Sequence, residues 1–491
     1  MPQSSPILGL AILVVLPATL TAQDPPAAQF PPPPAAPADG ARLPINLPTA
    51  LQLAQARPID VALAGQRLEA AWAQHQKAKW LWLPTIYAGF DYARHDGQIQ
   101  DVVGNVFGDS KQSLMLGTGI SATFYVSEAV HGPLAARQLI QSRQADVQTA
   151  LNDSFLAVAE AYFSVQQARG EVAGALHAAA RADEMVRRVT DLAPGLTPLL
   201  EVNRARTELA RRKQALISAH ERWRTAGADL TRLLRLPAGS VVDPIEPPHL
   251  DINLIDANQS VDDLIPLALT NRPELAAKQA LIQYTLQRLK QERQRPLLPS
   301  VLLRGNATNP AGTLSSGAFG GGVNGNLGNF GMRNSADIQL LWEFQNLGVG
   351  NRATVRERQA ENQQAVLELF RTQDRIAAEV VQAHAQARAA AARLTEAAEG
   401  LRFARETLDQ SLEGMKQTTR VGEKNVLVVR PAEVVAAVQG LAQAYADFYA
   451  AVADQNRAQA RLYRALGQPA QGLDVSVEPK TFTPPAPVMP K

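Results

Sequence analysis

Cysteine is absent from this chain of 491 residues, and histidine is scarce. The absence of cysteine excludes disulfides, thiolate metal sites and cysteine nucleophiles. The 7 histidines are scattered, and none has the spacing to a second histidine and a glutamate that a catalytic zinc site requires. A formal net charge of +2 provides no general attraction to nucleic acid. We therefore predict no catalytic, cofactor-binding or metal-binding residues and no nucleic acid partner.

The apolar run at residues 7–16 is too short to span a bilayer as a helix. Small residues follow it up to Ala22, as in a secretory signal peptide. We expect a signal peptide over residues 1–22, a linker rich in proline and alanine over residues 23–44, and a Pro-rich tail over residues 468–491.

The rest of the chain contains one pattern twice, offset by 215 residues. Pro58 and Pro84 each end a short helical stretch, and Pro273 and Pro299 do the same in the second copy. Each copy continues as strand, loop, strand, very long helix, turn and helix. The duplication predicts a first repeat over residues 45–240, an equatorial linker over residues 241–259 and a second repeat over residues 260–467.

Apolar and polar residues alternate in four segments, at residues 85–94, 113–125, 300–307 and 334–344, which predicts four strands. One face of these strands is expected to contact lipid, and the opposite face, with Ser121, Gln339 and Glu343, to contact water. The residues predicted to face lipid are Leu116, Ile120, Phe124, Ile338, Leu340 and Trp342.

Long helices with apolar residues every seven positions follow each strand pair, which indicates left-handed coiled-coil packing. The first long helix is expected to have Pro133 in its first turn and to end near residue 192. After a turn at residues 191–198, a second helix is expected to return to about residue 236. The second long helix is expected to start near Arg352, to turn around Gly422 and to return over residues 431–466.

Strands of about 10 residues can cross an outer membrane when tilted, but four strands cannot close a barrel and lipid does not tolerate open edges. Three copies would supply twelve strands, a plausible closed barrel. Two hairpins also place the long helices on one side of the sheet, with the loops at residues 95–112 and 308–333 on the other. Three alternatives remain: a soluble sheet, a coiled-coil scaffold without a pore, and a secreted enzyme. The enzyme lacks support because Gly320-Gly321-Gly322 has no context of a phosphate-binding loop.

The pattern resembles the outer membrane efflux protein family, the TolC-like trimeric exit ducts, over about residues 45–469. Asn-Arg-Pro-Glu-Leu at 271–275 carries the resemblance, as do Leu-Pro at 83–84 and 298–299 and Ala-Tyr-Phe at 161–163. The first helical turn also fits the family pattern, with Gly195-Leu196, Glu201-Val202 and Ala205-Arg206 at the family's spacing.

The resemblance implies an α+β membrane protein without catalytic activity. It implies a homotrimer with a twelve-stranded barrel in the outer membrane and an α-helical barrel in the periplasm. It further implies a passive duct for efflux or type I secretion, with a periplasmic adaptor (a membrane fusion protein) and an inner-membrane pump of RND or ABC type as partners. The alternative is a periplasmic scaffold or adaptor without a pore.

The predicted docking residues for the adaptor lie at the two helical turns. Val428 occupies the position where the family has an acidic residue, so the acidic ring of the family is missing at that site. The predicted docking set is Gly195, Leu196, Glu201, Val202, Ala205, Arg206, Gly422, Val428 and Val429.

Overall fold

A computed structural model describes residues 42–56, 58–193, 196–237, 239–256, 258–307, 334–421 and 424–467. The predicted signal peptide, the predicted C-terminal tail and the Gly-rich segment at 320–322 lie outside these ranges. Residues 42–44, which the sequence analysis assigned to the linker, belong to a strand.

The first half of the chain contains strands and helices, and the helices differ greatly in length. Its elements are β1 (Arg42–Ile45), α1 (Leu47–Ala56), α2 (Ile59–Lys79), β2 (Thr85–Gln100), β3 (Val106–Tyr125), α3 (Val126–Leu192), α4 (Leu199–Leu233) and β4 (Val241–Pro244). The second half repeats the order of helices and adds two short strands. Its elements are α5 (Val261–Asn271), α6 (Pro273–Gln294), β5 (Ser300–Ala307), β6 (Asn334–Leu341), α7 (Val349–Gly414), β7 (Thr418–Val421), β8 (Lys424–Leu427) and α8 (Pro431–Ala465).

The start of α3 differs from the sequence prediction. β3 runs directly into α3 at Val126, so Pro133 lies in the second turn of the helix and not in its first. A proline there removes one hydrogen bond to the carbonyl four residues earlier. α2 packs on α3 near Gly132, where an added methyl group would lie 3.9 Å from Cβ of Ala78. The apolar periodicity of α3 begins later in the sequence, so it could not reveal that the helix starts at Val126.

β2, β3, β5 and β6 form one antiparallel sheet in that order. Among the described residues, β2 and β6 each have only one neighbouring strand, so both edges of the sheet are open. β2 pairs with β3 over its full length, from Thr85 with Ser121 to Gln100 with Val106. The hairpin is therefore longer than predicted, because backbone pairing continues past the segment with apolar alternation.

The long helices extend about 100 Å from this sheet, at 1.5 Å per residue for the 67 residues of α3. α3 packs against α4 and α8, and α7 packs against α8. Buried side chains at the far end of these four helices form a cluster with Val189, Val202, Leu412, Met415 and Val438 at its centre. The cluster holds both reversals of the chain in one compact unit.

A charged cluster joins the short helices to the long ones. Arg272, whose side chain is only 1% exposed, forms ion pairs of 2.8 Å with Glu274 and Glu379. Arg464 on α8 also contacts Glu274, at 3.0 Å, and Asp153 on α3. Burial alone would raise the pKa of Glu274, but the charge and hydrogen bonds of Arg272 outweigh it and lower that pKa. The Asn-Arg-Pro-Glu motif therefore links the junction of α5 and α6 to the long helices α7 and α8 by ion pairs.

Candidate functional site: the sheet face and the helical tip

The strand register assigns side chains to the two faces of the sheet. Ile120 pairs with Ile86 and Gly305, and Ile338 pairs with Leu303. Directly paired residues of antiparallel strands point to the same face. Ile120, Phe124, Ile338 and Leu340 therefore share one apolar face, with Ile338 73% exposed. Phe124 is half-buried because Trp82 stacks on it at 6.2 Å.

For two of the predicted lipid-facing residues, Leu116 and Trp342, the strand register does not assign the side chain to this face. The backbone of Leu116 pairs with Phe90, but its side chain lies outside the part that the structure describes. Trp342 follows the last residue of β6 and is exposed. Glu343, expected on the wet face, also lies beyond the strand, where it accepts a hydrogen bond from Gln345 of 2.9 Å.

The opposite face of the sheet is polar. Ser121 pairs with Arg304, and Arg304 pairs with Asp337 on the next strand. Gln339 donates a hydrogen bond of 2.9 Å to Asp337. One face of the sheet thus carries exposed aliphatic side chains, and the other carries charged and amide groups.

The first reversal of the chain, between α3 and α4, is a six-residue connection. Gly195 lies outside the described residues; Leu196 donates its backbone N–H to Leu192 and its side chain is 40% exposed. Glu201 pairs with Arg204 at 2.7 Å in the first turn of α4. Val202 and Ala205 are buried in the core cluster, whereas Arg206 is exposed. Of the predicted docking residues at this turn, Leu196 and Arg206 are therefore accessible.

The second reversal has an element that the sequence analysis missed. Between α7 and α8, β7 and β8 form a short antiparallel hairpin, with Thr418 opposite Leu427. Gly422 lies outside the described residues. Val428 is exposed, while Val429 packs on the core cluster beside Gly414. The short apolar run at residues 426–429 was the available signal, but a strand of four residues is too short for its pattern to be distinguished from a turn.

Arginine side chains connect the ends of α3 and α7. Arg181 forms ion pairs with Glu184 at 2.9 Å and with Asp409 at 2.8 Å. Arg188 pairs with Glu184 and donates a hydrogen bond of 2.7 Å to the carbonyl of Leu412, in the last turn of α7. Burial would raise the pKa of Glu184, but its two arginine partners outweigh burial and lower it. The i, i+3 and i, i+4 spacing of these residues is visible in the sequence, but it did not lead to their prediction as site residues.

The described residues contain no convergent group of three or more His, Asp or Glu side chains that could hold a metal. Among the same residues, no helix has both the length and the apolar composition needed to cross a membrane. Exposed apolar groups of the described residues lie on the sheet face at one end and at the helical tip at the other.

Comparisons with known proteins agree with this architecture. A model of the family described as "Outer membrane efflux protein" matches residues 50–234. Among curated proteins, no sequence matches the chain.

Several solved structures share the fold at 15–17% sequence identity. The outer-membrane channel OprN is 17% identical, with a TM-score of 0.65 over 87% of this chain and 90% of that one. The outer membrane protein VceC from Vibrio cholerae is 15% identical, with a TM-score of 0.66 over 86% of this chain and 96% of that one. The CmeC outer membrane channel of Campylobacter jejuni is 15% identical, with a TM-score of 0.65 over 86% and 85%.

These descriptions all concern proteins of the outer membrane, which agrees with the location expected from the sequence. The expected combination of long helices with a small antiparallel sheet is confirmed by the fold that the chain shares with these channels. In sequence over residues 50–234 and in fold over most of its length, the chain is similar to the outer membrane efflux proteins.

Proposed function

We propose that three copies of this chain form an exit duct through the outer membrane. Twelve strands from three four-stranded sheets close a barrel, with the apolar faces toward lipid and the row of Ser121, Arg304 and Asp337 toward water. The observation that carries the proposal is the sheet with one exposed apolar face and two open edges. A single copy in lipid would leave the backbone groups of both edges unsatisfied.

In this proposal the long helices of the three copies form a tube in the periplasm. The duct is passive and belongs to a tripartite efflux or type I secretion system. A periplasmic adaptor docks at the tips, and an inner-membrane pump of RND or ABC type supplies the energy. Each repeat, at residues 45–240 and at residues 260–467, contributes one reversal, so every chain has two reversals at the periplasmic tip.

The first test is the mass and conductance of the purified protein. We expect extraction to require detergent, a particle of three chains in detergent, and ion-conducting pores after insertion into planar bilayers. A soluble monomer would contradict the proposal. A detergent-free trimer without conductance would support the alternative, a periplasmic scaffold without a pore.

The second test concerns orientation and uses the natural absence of cysteine. Val103 is 86% exposed in the turn of the first hairpin, and Leu199 is exposed at the tip. In intact cells, an impermeant thiol reagent should label Val103→Cys and should label Leu199→Cys only after the outer membrane is disrupted. The reverse order of labelling would contradict the proposed orientation.

The third test concerns docking at the tip. Leu196 and Leu199 are exposed apolar residues of the first reversal, and Ile217 is an exposed apolar residue midway along α4. The double variant Leu196→Ser and Leu199→Ser should form trimers but lose export, because an apolar contact with the adaptor is removed. Ile217→Ser, as the matched control, should export normally. Normal export by the tip variant would exclude these residues from docking.

A further inference from the structure

All four connections between the sheet and the helices lie at the same end of the sheet. The register fixes this arrangement, since Ser300 pairs with both Tyr125 and Leu341, the last residues of β3 and β6. α2 ends just before β2, α3 begins at the end of β3, α6 ends just before β5, and α7 begins just after β6. We call this end of the sheet, with the adjoining helix ends, the collar.

Large apolar side chains are concentrated and exposed in the collar. Three of the chain's five tryptophans are here: Trp80, Trp82 and Trp342. They are joined by Leu297, Phe344, Leu347 and Val349, each more than half exposed. Trp82 contacts Phe124 of the apolar sheet face, so that face continues into the collar.

Basic residues lie further from the sheet along the chain than these apolar residues. Lys79 is three residues before Trp82, Lys290 and Arg293 are seven and four residues before Leu297, and Arg352 and Arg356 are three and seven residues after Val349. Within α7, Val349, Arg352 and Arg356 share a helix face, and within α6 Lys290 and Arg293 do. Trp82 and Leu297 lie just beyond the ends of α2 and α6, so along the chain the apolar residue is nearest the sheet at all three helix ends.

The collar has an excess of positive charge. Its exposed basic residues are Lys77, Lys79, Lys290, Arg293, Arg352 and Arg356, and none of them forms an ion pair within the described residues. The acids of the same region are Glu128, Glu343 and Glu357, so six basic groups against three acids leave three positive charges per chain. Glu292 is already paired with Arg295 at 3.3 Å.

With the sheet in the membrane, the collar charges lie within side-chain reach of the lipid headgroup layer. Arg356 lies seven residues into α7, about 10 Å from its start, and the other basic residues are closer to the sheet. The headgroup layer is about 5–7 Å thick on each side of the hydrocarbon core. Lysine and arginine side chains extend over several ångströms and carry their charge toward an interface, while tryptophan prefers the interface itself.

We propose that the collar binds anionic phospholipids of the inner leaflet. The tryptophan and aliphatic side chains contact the upper acyl chains, and the lysine and arginine side chains bind the phosphate and the negatively charged headgroup. The ligand class is a phospholipid with net negative charge, such as phosphatidylglycerol, in preference to a zwitterionic one. This proposal rests on the proposed location of the sheet in the outer membrane.

The test compares lipid retention by purified trimers in detergent, measured by native mass spectrometry with added phosphatidylglycerol or phosphatidylethanolamine. The wild type should retain phosphatidylglycerol preferentially, and less so at high salt. The triple variant Lys79→Gln, Arg293→Gln and Arg352→Gln removes one charge from each helix. It should bind phosphatidylglycerol at least about tenfold more weakly, because each basic group near an anionic surface contributes about a fivefold effect.

A matched control removes the same charge elsewhere. Lys213, Arg224 and Arg388 are exposed, unpaired among the described residues and distant from the collar, so the triple change of these residues to Gln should retain phosphatidylglycerol like the wild type. Equal retention by the collar variant and the wild type in an intact trimer would overturn this proposal alone. Loss of pore conductance by the collar variant, with lipid retention unchanged, would also overturn it and would assign the charges to the lumen. A protein that needs no detergent would overturn the proposed function as well.

Discussion

Two glycines of α3 allow aromatic side chains of α8 to lie directly on the helix backbone. A methyl group on Gly170 would overlap the ring of Tyr449, and one on Gly174 would lie 2.7 Å from Cβ of Tyr445. Neither ring can move freely, because both are packed against the core cluster at the tip half of the helices. Gly400 on α7, by contrast, has open space around its Cα.

We predict opposite effects at these glycines. Gly170→Ala should lower the free energy of unfolding by about 1–3 kcal/mol, because the methyl group overpacks the interface between α3 and α8. Gly400→Ala should raise it by up to about 1 kcal/mol, because alanine favours a helix more than glycine does. Thermal denaturation of both purified variants measures this; equal melting temperatures would contradict the assigned packing.

His177 is a partly buried histidine whose protonation should affect the packing of the long helices. Its Nδ1 lies 3.3 Å from the hydroxyl of Tyr445, which also accepts a hydrogen bond from Arg405. Burial lowers the pKa of His177 below its ordinary value of 6.5, and the charges of Arg181 and Arg405 lower it further, while Asp409 opposes them. The histidine is therefore held neutral between α3, α7 and α8.

The sign of the pH effect follows from this shift. Below pH 6.5 the unfolded chain binds a proton at this histidine more readily than the folded protein, so the free energy of unfolding decreases as pH falls. His177→Gln should reduce that dependence in denaturation curves measured between pH 7.5 and about pH 5. His95→Gln, which removes an exposed histidine of β2 away from the long helices, is the control; an identical pH slope for wild type and His177→Gln would refute the prediction.

At the scale of elements, the two faces of β6 should respond differently to a charge. Ile338 is on the apolar face and Gln339 on the polar face, one residue apart on the same strand. Arginine at a lipid-facing midplane position costs about 2–4 kcal/mol, whereas a wet face tolerates it. Ile338→Arg should therefore reduce the yield of assembled trimer, measured by native electrophoresis, and Gln339→Arg should not. Equal yields would mean that the face is assigned wrongly.

Periodicity identified the elements whose one face is buried or apolar. The end of α1 at Ala56, just before Pro58, and the bounds of β5 at Ser300–Ala307 agree with the sequence prediction, because prolines and a change of period mark these positions. The extension of β2 to Gln100 was missed, because the paired segment beyond Arg94 carries polar side chains on both faces. Backbone pairing there does not depend on an apolar pattern.

The candidate site could also be predicted only in part, because some of its features are local in the sequence and others join distant segments. The motif around Gly195 located the first reversal of the helices, and the apolar face of β6 followed from alternation alone. The positive collar could not be predicted, because its basic residues are spread over α2, α6 and α7 and meet only when four strands align the helix ends. Contacts between distant segments, such as that of Arg181 with Asp409, leave no local signal.

For the whole molecule, the open edges of the sheet predict which strands meet between chains. Ile86 lies on edge strand β2, and residues 336–341 lie on edge strand β6. We expect Ile86→Cys, combined in turn with cysteines at 336–341, to form disulfides between chains at one or two positions and to yield a covalent trimer. Disulfides require Cβ atoms about 3.5–4.5 Å apart, so the pattern also reports the register.

The control for this experiment uses a central strand. Ala122 lies on β3, between β2 and β5. Ala122→Cys combined with the same series should form no disulfides between chains, because β3 already has two neighbours. Non-reducing electrophoresis distinguishes the outcomes. Crosslinks that form equally well from β3 would show that chains do not meet at the sheet edges.

The same open edges determine how assembly should depend on the amount of protein. In the proposed trimer the backbone groups of β2 and β6 find partners only on other chains, so one chain cannot complete its membrane part alone. Completion then requires the meeting of three chains, and the assembled fraction rises steeply with the local concentration of newly exported protein. Dilution during synthesis should therefore delay this protein far more than a barrel that closes within a single chain.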